Sequence, residues 1–99
     1  MMNNVIVIGR LQKIVDLGEY AIITIANQEA FKNKDGEYKI NYIDFIIYSG
    51  IKDNLIEYCK QGDTIACRGF IRTESEKTEK ETKLIADKIS FLSSKVKGE

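Results

Sequence analysis

The chain has no histidine, no tryptophan and no proline, and only two cysteines. Without histidine the commonest general base is missing, and no serine or cysteine sits in a recognisable nucleophile motif, so catalysis has little to work with. Cys59 and Cys67 lie eight positions apart. With no histidine to join them, neither a C-x-x-C pair nor a Cys/His zinc site can be assembled in one chain, and both read as small buried hydrophobes. No metal and no cofactor is expected. No apolar run reaches the roughly eighteen residues of a membrane span, and the opening Met1–Asn4 lacks the basic region and apolar core of a signal peptide. A cytoplasmic protein without membrane contact is expected. Neither sign of charge is in excess, with 15 Lys and Arg against 15 Asp and Glu. That balance argues against a strongly basic surface and leaves the question to where the charges lie.

What is present suits one folded domain. A chain of 99 residues with 43% hydrophobic and 30% charged residues can build a single core without staples. Its most strand-like stretch is Tyr42–Tyr48, β-branched and aromatic throughout and free of glycine. Alternation sends Ile43, Phe45 and Ile47 to one face and Tyr42, Asp44, Ile46 and Tyr48 to the other. The first set must face the core. The second set puts two tyrosines on one surface, about 20 Å apart at ~3.3 Å per residue. That suits a strand carrying flat rings along an open face; the alternative is that both rings cap the core with only their hydroxyls in water.

The flanking segments supply the rest of a sheet. Val5–Ile8 is apolar on both faces, as in a strand covered by its own core on one side and a second subunit on the other, and Gly9 marks a bend before Arg10 and Leu11. After a turn at Asp16–Glu19, Tyr20–Gln28 forms a second strand in which Ala21, Ile23 and Ile25 alternate with Ile22, Thr24 and Ala26. Residues 29–39 read as a polar connection turning at Asp35 and Gly36. In it Phe31 stands among Lys32, Lys34 and Lys39, either as a free ring or folded back as an anchor. From Ile51 the period changes. Ile51, Leu55, Tyr58 and Cys59 make one core-facing stripe of a short helix, with Ser49 as N-cap, Asp53 in the first turn, Lys60 in the last and Gly62 as the stop.

Thr64–Arg72 is the fourth strand, with Ile65, Cys67 and Ile71 inward, Thr64, Ala66, Arg68, Phe70 and Arg72 outward, and Gly69 repeating the bend signal. Two guanidinium groups beside a ring compose a surface that meets phosphates and bases; the alternative is a solvated face on which Phe70 covers its neighbours. Residues 73–83 are charged with both signs and read as a solvated loop. Thr82–Ser93 closes the sheet, with Ile85, Ile89 and Phe91 on one side and Leu84, Ala86 and Leu92 on the other. The fold class is therefore all-β: a five-stranded Greek-key barrel of the OB-fold type with one short helix between strands 3 and 4. It is expected to occupy residues 1–94 as one domain, with 95–99 a short tail.

At this point the segments Asn3–Leu11, Tyr42–Tyr48, Leu55–Gly62, Arg68–Thr73 and Ala86–Leu92 resemble, in order and spacing, those of the bacterial and phage single-stranded-DNA-binding proteins. The resemblance covers nearly the whole chain. It implies base stacking on Phe31, Tyr42 and Tyr48, a basic contact at Arg72, and a homotetramer, or a dimer, paired through the strand 5–11. The residues' own patterning adds Phe70 to the rings and Arg10, Lys32, Lys34, Lys39 and Arg68 to the cations facing phosphate. The expected function is sequence-tolerant binding and protection of single-stranded DNA in replication, recombination or repair, with replication or recombination proteins as further partners. The alternative is an OB-fold primosome or recombination accessory module acting mainly through protein contacts. Three features depart from the family. Phe31 and Tyr42 stand where it often has tryptophan, so each stacking platform is smaller. Glu74, Glu76, Glu79 and Glu81 replace an aromatic and more positive charge. The sequence ends at Lys97-Gly98-Glu99 without the flexible acidic tail, which suggests a reduced, plasmid- or phage-type form.

Overall fold

The computed structural model describes residues 1–76 and 79–94, without the side chains of 75, 76 and 79. Along it run β1 (Val5–Asp16), β2 (Tyr20–Lys32), β3 (Tyr38–Tyr48), α1 (Ser49–Tyr58), β4 (Thr64–Glu76) and β5 (Glu79–Ser93). The strands close into a barrel in the order β1-β2-β3-β5-β4. All neighbours are antiparallel except the closing pair, where β3 and β5 run parallel at Ile46 and Ile85. This is the OB-fold barrel, with its helix between the third and fourth strands, that the residue pattern predicts.

The core is the inward set of the alternation. Leu11, Ala21, Ile23, Ile25, Phe45, Ile47, Ile65 and Cys67 have no exposed surface, and Leu55 of α1 packs against them. Each fully buried aliphatic or aromatic side chain contributes about 1.5–3 kcal/mol relative to exposure. Both bend glycines do what their positions suggest. β1 pairs with β4 over Val5–Arg10 and with β2 over Arg10–Asp16, and Gly9 sits at the changeover. A Cβ on Gly9 would fall 2.2 Å from the Ala26 carbonyl oxygen, and one on Gly69 would fall 2.0 Å from that of Ile85. Only glycine lets the backbones approach so closely. Beside Gly69 the ladder is irregular: Arg68 pairs with Lys88 but Gly69 with Ala86, leaving Asp87 as an extra residue in β5. The bulge lets Ile85 and Ala86, adjacent in sequence, both be buried.

The structure corrects several sequence expectations. Most of residues 29–39 and 73–83 are strand rather than loop, because β2 and β3 continue to Lys32 and from Tyr38, and β4 and β5 pair out to Glu76 and Glu79. These arms project past the core, so no buried face imposes alternation on their sequence. The first arm is closed by Asn33, whose Oδ1 accepts the Asp35 N–H at 2.9 Å and the Glu37 N–H at 3.0 Å, with Gly36 at φ +80. The tip of the second arm, 77–78, and the tail 95–99 lie outside the described residues.

Ser49 is not the N-cap. It is the first helical residue, at φ +36, after a Tyr48 cap that makes no side-chain hydrogen bond. Neither Asp53 nor Lys60 supports the helix ends, since α1 has no acidic residue in its first turn and no basic one in its last. Tyr58 leaves the core stripe and is 69% exposed. It borders a groove of about 470 Å3 between α1 and β5, where a plain core contact was expected. Ile71 and Phe91 are also exposed: Ile71 lies where β4 and β5 leave the barrel, and Phe91 sits at the rim beside α1. Gly62 is not the stop either: α1 ends at Tyr58 with Cys59 as an extended C-cap, and Gly62, at φ +98, instead turns the chain toward β4, its N–H donating to the Leu11 carbonyl at 2.7 Å.

Candidate nucleic-acid interface

The outward face of the β2–β3 ladder is the starting point. On it Tyr20, Ile22, Thr24 and Ala26 of β2 stand opposite Tyr48, Ile46, Asp44 and Tyr42 of β3. Ala26 also pairs with Arg10 of β1, so Arg10, Ala26 and Tyr42 form one row across three strands. Alanine in the middle leaves both long side chains free to reach over it, and Tyr42 is 62% exposed. Tyr48 is 41% exposed. Neither ring caps the core, which disposes of the alternative reading of this strand. Between them the Thr24 hydroxyl donates to Asp44 Oδ1 at 2.7 Å.

The β2–β3 arm extends from one end of this face. From Gln28–Ile40 to Lys32–Tyr38 the register advances four residues on β2 but two on β3, so Glu29–Phe31 bulge outward. Phe31 is thereby left 84% exposed, so it does not fold back as an anchor. Next to it Lys32 Nζ lies 5.6 Å from the centre of the Tyr38 ring, a cation–π contact. Lys34 and Lys39 are exposed on the same arm.

The β4–β5 arm borders the other end. There Tyr20 and Tyr48 approach with ring centroids 6.1 Å apart and planes tilted by 46°. They open onto a groove of about 640 Å3 floored by Ile22, Ile46 and Leu84 and edged by Asp44, Glu74 and Glu81. Lys83 Nζ lies 3.4 Å from Glu74 Oε2, and this carboxylate holds the amine's pKa above its ordinary value. Arg72 stacks on Phe70, its guanidinium 5.5 Å from the ring centre, and the half-buried Phe70 thus covers a neighbour while keeping part of its surface open. Arg68 is placed apart from these groups. It pairs in register with the exposed Ile6 of β1, and its Nε donates to Asp87 Oδ1 at 2.9 Å.

Of the residues singled out from sequence, Arg10, Tyr42 and Tyr48 thus share one face, with Phe31, Lys32, Lys34 and Lys39 on the arm that continues it. Phe70 and Arg72 lie on β4, one strand beyond β5. Two rings were overlooked, Tyr20 and Tyr38. Both carried a signal, because Tyr20 has the parity of the outward Ile22 and Thr24, and Tyr38 that of Tyr42.

The model of the family described as "Single-strand binding protein family" matches residues 2–92. The chain belongs to the single-strand binding protein family. Among curated members of this family, Single-stranded DNA-binding protein B of Bacillus subtilis is 30% identical, over 96% of this chain and 94% of its own length. Single-stranded DNA-binding protein 1 of Streptococcus pyogenes serotype M18 is 37% identical over 76% of this chain, and the match spans 62% of that protein. Solved structures share the fold. The Plasmodium falciparum SSB in complex with ssDNA aligns over 93% of this chain and 96% of its own with a TM-score of 0.68 at 22% identity. The yeast mitochondrial protein Rim1 aligns over 92% of this chain and 95% of its own with a TM-score of 0.71 at 18% identity. Among the described residues, no helix is long and apolar enough to cross a membrane, and no group of three His, Cys, Asp or Glu could hold a metal ion.

Proposed function

We infer that this single-strand binding family member binds single-stranded DNA with little regard to sequence, and does so as a binding protein rather than an enzyme. The observation that carries the reading is the outward β2–β3 face, where exposed Tyr42 and Tyr48 lie on one strand and Tyr42 shares a row with Arg10. Bases stack on Tyr42, Tyr48 and Phe31, with Phe70 at the edge, and each stacked base contributes about 1–3 kcal/mol whatever its identity. Arg10, Lys32, Lys34, Lys39 and Arg72 neutralise phosphates; Arg68 joins them only when its pair with Asp87 opens. Because acidic and basic residues balance over the whole chain, stacking carries an unusual share of the affinity. The names of the relatives support the same activity. By this reading one domain spanning residues 1–94 performs it, in the cytoplasm, in replication, recombination or repair. No observation favours the accessory-module alternative.

The working unit is a homo-oligomer, a tetramer or a dimer, joined through β1. Ile6 and Ile8 are 67% and 52% exposed on that strand, and apolar surface of this kind costs ~25 cal/mol per Å2 to leave in water. Light scattering at micromolar concentration should find no monomer. The test of the activity is fluorescence anisotropy with labelled oligo-dT in moderate salt. Tight, length-dependent binding is expected, and no binding would refute the reading.

A further inference from the structure

We propose that Tyr20 is a base-contacting residue, and that with Tyr48 it forms a second stacking station, separate from the one at Tyr42. The proposal rests on the single-stranded-DNA reading and goes beyond it, since the family resemblance points to Tyr48 alone at this end of the sheet.

Three observations carry it. Tyr20 and Tyr48 are register partners on the outward face, so the two rings stand side by side and nothing separates them. Their centroid spacing of 6.1 Å and tilt of 46° make a V rather than a stack. A base sandwiched between parallel rings needs about 7 Å, two van der Waals gaps of ~3.5 Å, so the base does not slip between them. It lies in the mouth of the V, flat on one ring with its edge toward the other. Second, the V opens onto a groove whose volume, about 640 Å3, falls in the range of sites that hold small flat ligands, and whose floor is the aliphatic trio Ile22, Ile46 and Leu84. Third, the charge of the groove selects the part of the nucleotide that enters. Asp44, Glu74 and Glu81 edge it against Lys83 alone, and Lys83 is already held by Glu74. A phosphate is repelled there, whereas an uncharged base is not, and the carboxylates accept hydrogen bonds from base N–H groups. The sugar–phosphate chain therefore runs outside this groove while its base turns in.

The test compares Tyr20→Phe, Tyr20→Leu, Tyr48→Leu and the double leucine variant, using oligo-dT and a salt series, after circular dichroism has shown each to be folded. Tyr20→Phe should bind within about twofold of wild type, because the ring remains. Tyr20→Leu keeps an apolar side chain but loses the ring, and should weaken binding about five- to thirtyfold with an unchanged salt slope. The double variant should lose less than the product of the two single losses, since both rings serve one base. For a readout independent of folding, Tyr20 ring proton resonances of wild type should move upfield when oligo-dT is added. Folded Tyr20→Leu with wild-type affinity, a loss accompanied by a shallower salt slope, or unmoved Tyr20 resonances in a saturated complex would each overturn the second station. Those results leave the single-stranded-DNA reading standing; failure of the wild type to bind would refute that reading instead.

Discussion

Replacing Tyr42 by alanine separates stacking from both folding and charge. The ring is 62% exposed and its register partner is Ala26, so its removal opens no cavity and should change stability by no more than about 0.5 kcal/mol. If a base rests on it, binding to oligo-dT should weaken by about 1–3 kcal/mol, roughly five- to 150-fold in Kd. Tyrosine is uncharged at neutral pH, so the slope of log K against log salt should stay where it was. Arg10→Ala, in the same row, should do the opposite: a smaller loss, with the slope shallower by about 0.7 for one lost phosphate contact on a single strand. Phe45→Ala, on the same strand but with no exposed surface, is the folding control. It should cost about 3–5 kcal/mol of stability through the cavity it leaves and alter binding only as folded protein is lost. Anisotropy titrations at several salt concentrations, with thermal melts for each variant, give every quantity needed. Folded Tyr42→Ala and Tyr48→Ala proteins with wild-type affinity would refute the reasoning, because the rings would then be exposed for some other purpose.

Three more tests address other parts of the structure. Gly69→Ala should destabilise the barrel by about 1–3 kcal/mol, since its Cβ would meet the Ile85 carbonyl oxygen at 2.0 Å and β4 and β5 would have to part; an unchanged melting temperature would contradict that contact. Glu81→Lys removes one of two carboxylates that face each other across the β4–β5 arm, Glu74 and Glu81, and should tighten DNA binding with a salt slope steeper by about 0.7. No change in either quantity would put the arm off the DNA path. Burial, with Asp87 adding to it, pushes the Cys67 thiol up from 9.0 to about 12. Below pH 9 the thiol is protonated in both states; between pH 9 and about 12 the unfolded chain loses this proton while the fold keeps it. Cys67 therefore costs stability as pH rises through that window, by at most ~1.4 kcal/mol per pH unit. The stability gap between wild type and Cys67→Ala should narrow from about pH 8 to pH 10 in urea melts, and a constant gap would show that the thiol does not titrate as its burial implies.

Legibility in the sequence followed the core. Ala21, Ile23, Ile25, Phe45, Ile47, Ile65 and Cys67 were readable as inward because a strand with one wet face must alternate, and the same parity exposed Tyr42 and Tyr48. Gly9 and Gly69 were readable as bends because nothing else interrupts their strands. The arms were not. Their strands are held by main-chain pairing, to which lysine and glutamate contribute as well as valine does, so composition alone suggested loops. Parity misplaces Ile71 because it assumes a continuous core, whereas β4 runs on past the barrel. Phe91 keeps the side of Ile89, opposite the buried Ile65, and is exposed because it lies at the rim beside α1. Ala86 is the residue that changes side, because the extra residue Asp87 puts it on the inward face with Ile89. Ser49 reads as a cap because capping residues are recognised by type, whereas capping requires a geometry that its φ of +36 does not provide.

By itself, then, the order of residues determined which side of β2, of β3 and of the barrel part of β4 faces inward, the all-β class and the presence of paired rings on one face. Each of these is local: it depends on side chains one or two positions apart and on their preference for oil or water. Only the tertiary structure decided that Arg10 shares a row with Tyr42, that Tyr20 meets Tyr48, and that Arg68 is occupied by Asp87. Those neighbours are set by the register between strands distant in sequence. A slip of one residue would turn every side chain to the other face, and two residues would leave parity intact while changing every partner. The packing of a closed barrel around its two glycine contacts holds one register and excludes the others.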